Sequence, residues 1–191
     1  ENELRAAAEI LGVGTVVVLD HLDSGMEGEP ERGALVTVPE SELAVEVRAL
    51  IDQHRPDVLV SLDASDGHRD HARVRDATLQ AVDDASHRPL ATYLWCLARS
   101  SMARWADHMR TIGGGDAYVD VGVGVLGTPD EEITTILDVR EHLATRWAAI
   151  RAHSSQASPY DDLPPELQEE FLVTDRLRLV RGVDVLGPQR G

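Results

Sequence analysis

Short aliphatic runs separated by helix-length stretches constrain this chain more than any other feature. Thr15–Leu19, Asp57–Leu62 and Ala91–Leu97 are rich in Val, Leu and Ala and too short for buried helices, so they read as strands. Ala117–Val121 is a fourth candidate and Leu177–Val180 a candidate edge strand. The stretches between them carry helical stripes. Glu1–Leu11 places Leu4, Ala7, Ala8 and Leu11 on one face and is ended by Gly12 and Gly14. Pro39–His54 aligns Leu43, Val47, Leu50 and Ile51, and His68–Ala85 offers Val74, Ala77, Leu79 and Ala81. Thr128-Pro129-Asp130-Glu131 predicts a helix start, with Thr128 as cap and Glu131 closing a capping box. Ile136, Val139, Leu143, Trp147 and Ile150 then continue at helical spacing to about Gln156. Gly113-Gly114-Gly115 reads as a connection, and Glu166–Val173 as a short helix after a loop. Strands alternating with helices predict an α/β fold with a mostly parallel sheet flanked by helices. Such sheets bind ligands outside the carboxyl ends of their strands.

At 191 residues the chain fits one domain. Its 42% apolar content includes only 4% aromatic residues, so the expected core is aliphatic. The balance of 34 acidic against 18 basic residues, a net charge of −16, argues against nucleic-acid phosphates or an anionic membrane as partners. The single cysteine, Cys96, lies in an apolar run and reads as a core residue rather than a nucleophile. No apolar run approaches the length of a membrane span. With no signal peptide visible, the cytoplasm is the expected location. The sequence leaves open whether the protein is a homo-oligomer.

Two strand exits are chemically rich. One is Asp20–Met26 and the other Asp63–His71, which contains Gly67-His68-Arg69-Asp70-His71. If a helix opens near Gly67, His68 and His71 share one face of its first turn. The helix N-terminus disfavours imidazolium, and neutral imidazole is the form that ligates a metal. Asp70 can orient a neighbouring His. Two imidazoles alone do not make a catalytic zinc site, which takes three protein ligands and an open position. Arg69 reads either as a charge balance or as a solvated helix residue. The plainer alternatives are surface histidines at a helix start, and a simple turn at Asp23-Ser24-Gly25.

The order of the first helix, Asp23-Ser24-Gly25-Met26, Pro56-Asp57-Val58-Leu59-Val60, Gly67-His68-Arg69-Asp70-His71 and Ala152-His153-Ser154-Ser155-Gln156 resembles the LmbE-like family, also called the PIG-L or N-acetylglucosaminyl deacetylase family. That resemblance implies a zinc-dependent amidase on a Rossmann-like fold, one domain over residues 1–191, acting on a small-molecule N-acylated amino sugar. It assigns His71 as a zinc ligand and His68 as the imidazole that stabilises the oxyanion or protonates the leaving amine. Asp70 orients His68, Asp23 lies near the sugar hydroxyls, and Met26 lines their pocket. His153 and Gln156 match a further His-x-x-Gln that approaches the site or serves the helix end.

Two departures stand out. The family's His-Pro-Asp-Asp, source of two zinc ligands and the carboxylate base, does not occur in the 191 residues. By the resemblance it belongs before Glu1, with a first strand and helix. The expectation is a full-length parent that is a zinc deacetylase, while these residues alone bind zinc weakly and are inactive. Asp66 stands where the family often has a tyrosine. The competing classes are a non-catalytic sugar-binding or interaction protein without the metal half-site, and another His/Asp metallohydrolase such as a phosphoesterase.

Overall fold

A computed structural model of the chain describes residues 1–113 and 126–187, so the candidate strand Ala117–Val121 lies outside the described residues. The elements run α1 (Asn2–Ile10), α2 (Glu40–His54), β1 (Val58–Leu62), α3 (Arg69–Asp84), β2 (Ala91–Trp95), α4 (Arg99–Ile112), β3 (Thr135–Asp138), α5 (Leu143–Ala152), α6 (Pro165–Leu172) and β4 (Thr174–Gly182). They fall into two compact units, one of Glu1–Asp20 with Asp138–Asp175, the other of His21–Leu137 with Arg176–Gly191. No helix among the described residues is long and apolar enough to cross a membrane.

In the first unit α1 packs on α5 through small residues, with Ala7, Ala8 and Ala149 buried. The Glu3 carboxylate accepts the Ser154 and Ser155 hydroxyls at 2.7 and 2.6 Å. Tyr160 lies between Trp147 and Phe171, with ring centroids 6.4 and 6.2 Å away.

The second unit holds the sheet, in the order β1-β2-β4-β3. β1 and β2 are parallel, in register from Val58 opposite Ala91 to Leu62 opposite Trp95. Their crossover is α3, as a parallel pair requires. β4 runs antiparallel to β2. Ile51 of α2 joins Ala81, Val82 and Ala85, with Val47 and Leu59 against them. Ala91, Tyr93 and Leu177 form a second cluster, with Val58, Trp95, Leu137, Leu179 and Val185 packed against it. Each large side chain buried this fully, Leu43 and Ile51 among them, contributes about 1.5–3 kcal/mol. The α/β class expected from the sequence stands.

Three local expectations change, and one helix lies where none was expected. Leu177–Val180 lies inside the sheet, between β2 and β3, and makes the sheet mixed. Thr15–Leu19 forms no ladder with the described residues, and its Val17 and Val18 are half exposed. A β-branched run becomes a strand only beside a hydrogen-bonded neighbour. Thr128-Pro129-Asp130-Glu131 opens only a single 3-10 turn over Asp130–Glu132. Thr128 spends its hydroxyl on Asp63, and Thr134-Thr135-Ile136, three β-branched residues, leads into β3. The helix begins only at Leu143. Finally, α4 has no aliphatic stripe to announce it, because Ser101, Met102 and Ala106 are what it buries.

Candidate active site

β1 ends at Leu62 and α3 begins at Arg69, so residues 63–68 form a turn at the carboxyl end of a strand. Buried and partly buried hydrogen bonds fix its path. Asp63 Oδ1 accepts the Ser65 N–H at 2.7 Å, and its other oxygen accepts the Thr128 hydroxyl. Ser65 Oγ accepts the Leu97 N–H at 2.8 Å, and the Ser65 carbonyl accepts the Gly127 N–H at 2.7 Å. Gly67 turns the chain with φ +81°, and a Cβ there would stand 3.2 Å from Leu126. Both facts call for glycine.

The turn delivers His68 as the N-cap of α3. Its Nδ1 accepts the Asp70 backbone N–H at 3.2 Å. The ring of a neutral His68 then carries its hydrogen on Nε2, an assignment from geometry. Nε2 lies 3.9 Å from Asp23 Oδ2. Asp70 is buried; its Oδ2 accepts the Ser24 N–H at 2.9 Å, while Oδ1 has no hydrogen-bond partner among the described residues. An unpartnered carboxylate oxygen in the interior is costly and calls for a ligand or a proton. Asp23, His68 and Asp70 offer metal-ligand atoms that all lie within 4.8 Å of one another.

His71 lies beside this group, its ring centroid 4.7 Å from that of His68. Its Nδ1 meets Asp66 Oδ2 at 2.6 Å, and Asp66 Oδ1 accepts the His68 N–H at 3.0 Å. The bond to Asp66, working against burial, holds the His71 imidazole above its usual range. Burial pushes the Asp66 carboxyl up, but the bonds from His71 and His68 bring it below the usual carboxylate range. Asp66 is therefore the acceptor and His71 Nδ1–H the donor.

The loop that carries Asp23 is tied to the start of α3. Asp23 Oδ1 accepts the Gly25 N–H at 2.6 Å, an Asx turn, and Ser24 Oγ accepts the Val36 N–H at 3.0 Å. Arg69 reaches four carbonyls of this loop: Gly25 and Gly28 at 2.8 Å each, Glu27 at 3.3 Å, and Ser24. Met26 sits half-buried in the bend of the same loop.

The structure thus converges Asp23, His68 and Asp70, with His71 adjacent and turned to Asp66. Asp70 meets His68 through its backbone, while its carboxylate turns to Ser24. His153 and Gln156 belong to the first unit, where His153 closes α5. Arg69 and Asp66 are the two residues whose roles the sequence did not disclose.

Comparison with known proteins adds an independent finding. The family model described as PIG-L, GlcNAc-PI de-N-acetylase, matches residues 1–82. Three relatives bear the description 1D-myo-inositol 2-acetamido-2-deoxy-alpha-D-glucopyranoside deacetylase. The protein of Geodermatophilus obscurus is 32% identical over 95% of this chain and 70% of its own length. That of Acidothermus cellulolyticus is 29% identical over 95% of this chain and 67% of its own. That of Streptomyces griseus is 31% identical over 95% of this chain and 64% of its own.

Proposed function

Because the chain belongs to the PIG-L, or LmbE-like, deacetylase family, we propose that it forms part of a zinc-dependent enzyme that hydrolyses the N-acetyl amide of an N-acetylglucosaminyl compound. Residues 1–191 belong, on this reading, to one deacetylase domain. The observation that carries the proposal is the His68–His71 pair at the N-terminus of α3, ring centroids 4.7 Å apart, with His71 Nδ1 held by Asp66 and His68 Nε2 3.9 Å from Asp23.

The donor chemistry fits zinc. His71 has its Nδ1 engaged by a carboxylate, which leaves Nε2 as the ligating nitrogen. When bound there, zinc would supply Lewis acidity to activate water and polarise an amide carbonyl. His68 serves the oxyanion: as a neutral ring it aims an Nε2–H at the developing negative charge. The Asp70 backbone N–H holds the His68 ring in place. Asp23, exposed and set by its Asx turn, accepts hydrogen bonds from sugar hydroxyls, and Met26 offers an apolar wall. The 191 residues contain no His-Pro-Asp-Asp, and we expect them by themselves to bind zinc weakly and to turn over little.

The test uses the full-length gene product loaded with zinc and an N-acetylglucosaminyl-inositol substrate, with free amine as the readout. Release of amine that falls at least 100-fold in His68→Ala, with zinc retained, supports the proposal. A zinc-loaded wild type that binds the sugar and releases no amine overturns it in favour of a non-catalytic sugar-binding protein.

A further inference from the structure

We infer that Asp66 is the positioning residue for the zinc ligand, holding His71 as its Nδ1–H tautomer so that Nε2 faces the metal. This rests on the reading of His71 as a ligand. An imidazole has two nitrogens of equal competence, and the one that ligates must be free of hydrogen. A carboxylate on the other nitrogen settles the choice, fixes the ring plane and raises the basicity of the ligating atom. Asp66 meets these requirements: its Oδ2 stands 2.6 Å from His71 Nδ1.

The second oxygen makes the arrangement rigid. Asp66 Oδ1 accepts the backbone N–H of His68, so one carboxylate bridges the residue that caps α3 and the ring one turn further along. Both Asp66 oxygens are committed, leaving no freedom for the His71 ring to flip without breaking a charge-assisted bond. An aromatic hydroxyl at position 66, as the family often has, could not hold the His68 N–H and the His71 ring at once in this way. The departure at position 66 therefore adds a carboxylate–imidazole–metal relay to this chain.

Asp66→Asn is the discriminating variant. The amide keeps one oxygen, which can still accept the His68 N–H and preserve the entry to α3. It then turns its NH2 toward His71 Nδ1, which favours the opposite tautomer with hydrogen on Nε2. Zinc affinity of the full-length gene product, read by competition with a chromophoric chelator, should fall about 10–100-fold in Asp66→Asn and Asp66→Ala. The melting temperature of the metal-free protein should stay near wild type for Asp66→Asn. In the zinc-loaded wild type, long-range proton–nitrogen spectra of the imidazoles should show His71 protonated at Nδ1, and this signature should be lost in Asp66→Asn. His71→Ala should lose more affinity than either. Unchanged affinity and an unchanged His71 spectrum in Asp66→Asn overturn the inference alone. Unchanged affinity in His71→Ala overturns both the inference and the ligand reading beneath it.

Discussion

Arg69→Ala tests how the loop that carries Asp23 is held. The guanidinium donates to the carbonyls of Gly25 and Gly28 at 2.8 Å, to Glu27 at 3.3 Å, and to Ser24. A hydrogen bond to a charged group contributes about 1.5–3 kcal/mol net when sheltered. Only two of these are of full strength by distance alone, and Arg69 is only partly buried, so water replaces part of each. A total of about 2 kcal/mol results, which corresponds to roughly 30-fold more frequent opening of the loop. Hydrogen exchange of the full-length protein should therefore quicken by that factor at residues 24–28 and leave the central turns of α3 protected. Arg69→Lys should recover only part of the loss, because an ammonium cannot span several carbonyls as a planar fork does. If Asp23 binds the sugar, KM should rise about tenfold with kcat changed less. Exchange at residues 24–28 that matches wild type in Arg69→Ala would refute the clamp.

Other consequences follow from the packing. Tyr93 is fully buried in β2; its hydroxyl donates to Asp184 at 2.7 Å and accepts the Val185 and Leu186 N–H groups at 2.8 and 3.2 Å. Tyr93→Phe should cost about 1–2 kcal/mol in urea unfolding, since it strands those partners. The Tyr93 hydroxyl, with the Gly187 N–H and Thr135, holds the Asp184 carboxyl below its ordinary 3.8. A depressed carboxylate stabilises the fold above its unfolded pKa, and that contribution fades as pH falls through the folded value. Asp184→Asn should flatten the acid limb of the stability profile below pH 3.8, and an unchanged limb would contradict this. Burial pushes the Cys96 thiol up to about 12. It should resist a disulfide reagent in the native state and react at once in denaturant.

Much of the fold was readable because the packing rules are local. α2 and α3 follow their aliphatic stripes within one or two residues, and β1 and β2 follow their Val- and Leu-rich runs. Where tertiary partners decide, the pattern misleads. Ile136 sits at helical spacing from later apolar positions, yet its β-branching and the neighbouring β4 place it in a strand. Thr15–Leu19 has strand composition and no ladder among the described residues. The site divides in the same way. The paired histidines and Asp70 are legible from spacing within one helical turn. Arg69 is not, because its partners lie more than 40 positions away: Gly25 is 44 residues earlier. Asp66 reads as a departure from a family pattern until geometry shows which ring nitrogen it holds.

The central claim is that the N-terminus of α3 is a deacetylase metal centre with His71 as its imidazole ligand. Anomalous diffraction at the zinc edge from crystals of the full-length gene product tests it most directly. The account predicts a zinc peak about 2.0–2.1 Å from His71 Nε2, with Asp66 still bonded to Nδ1. A peak seated among Asp23, His68 and Asp70 with His71 unligated, or zinc bound away from α3 altogether, would contradict it.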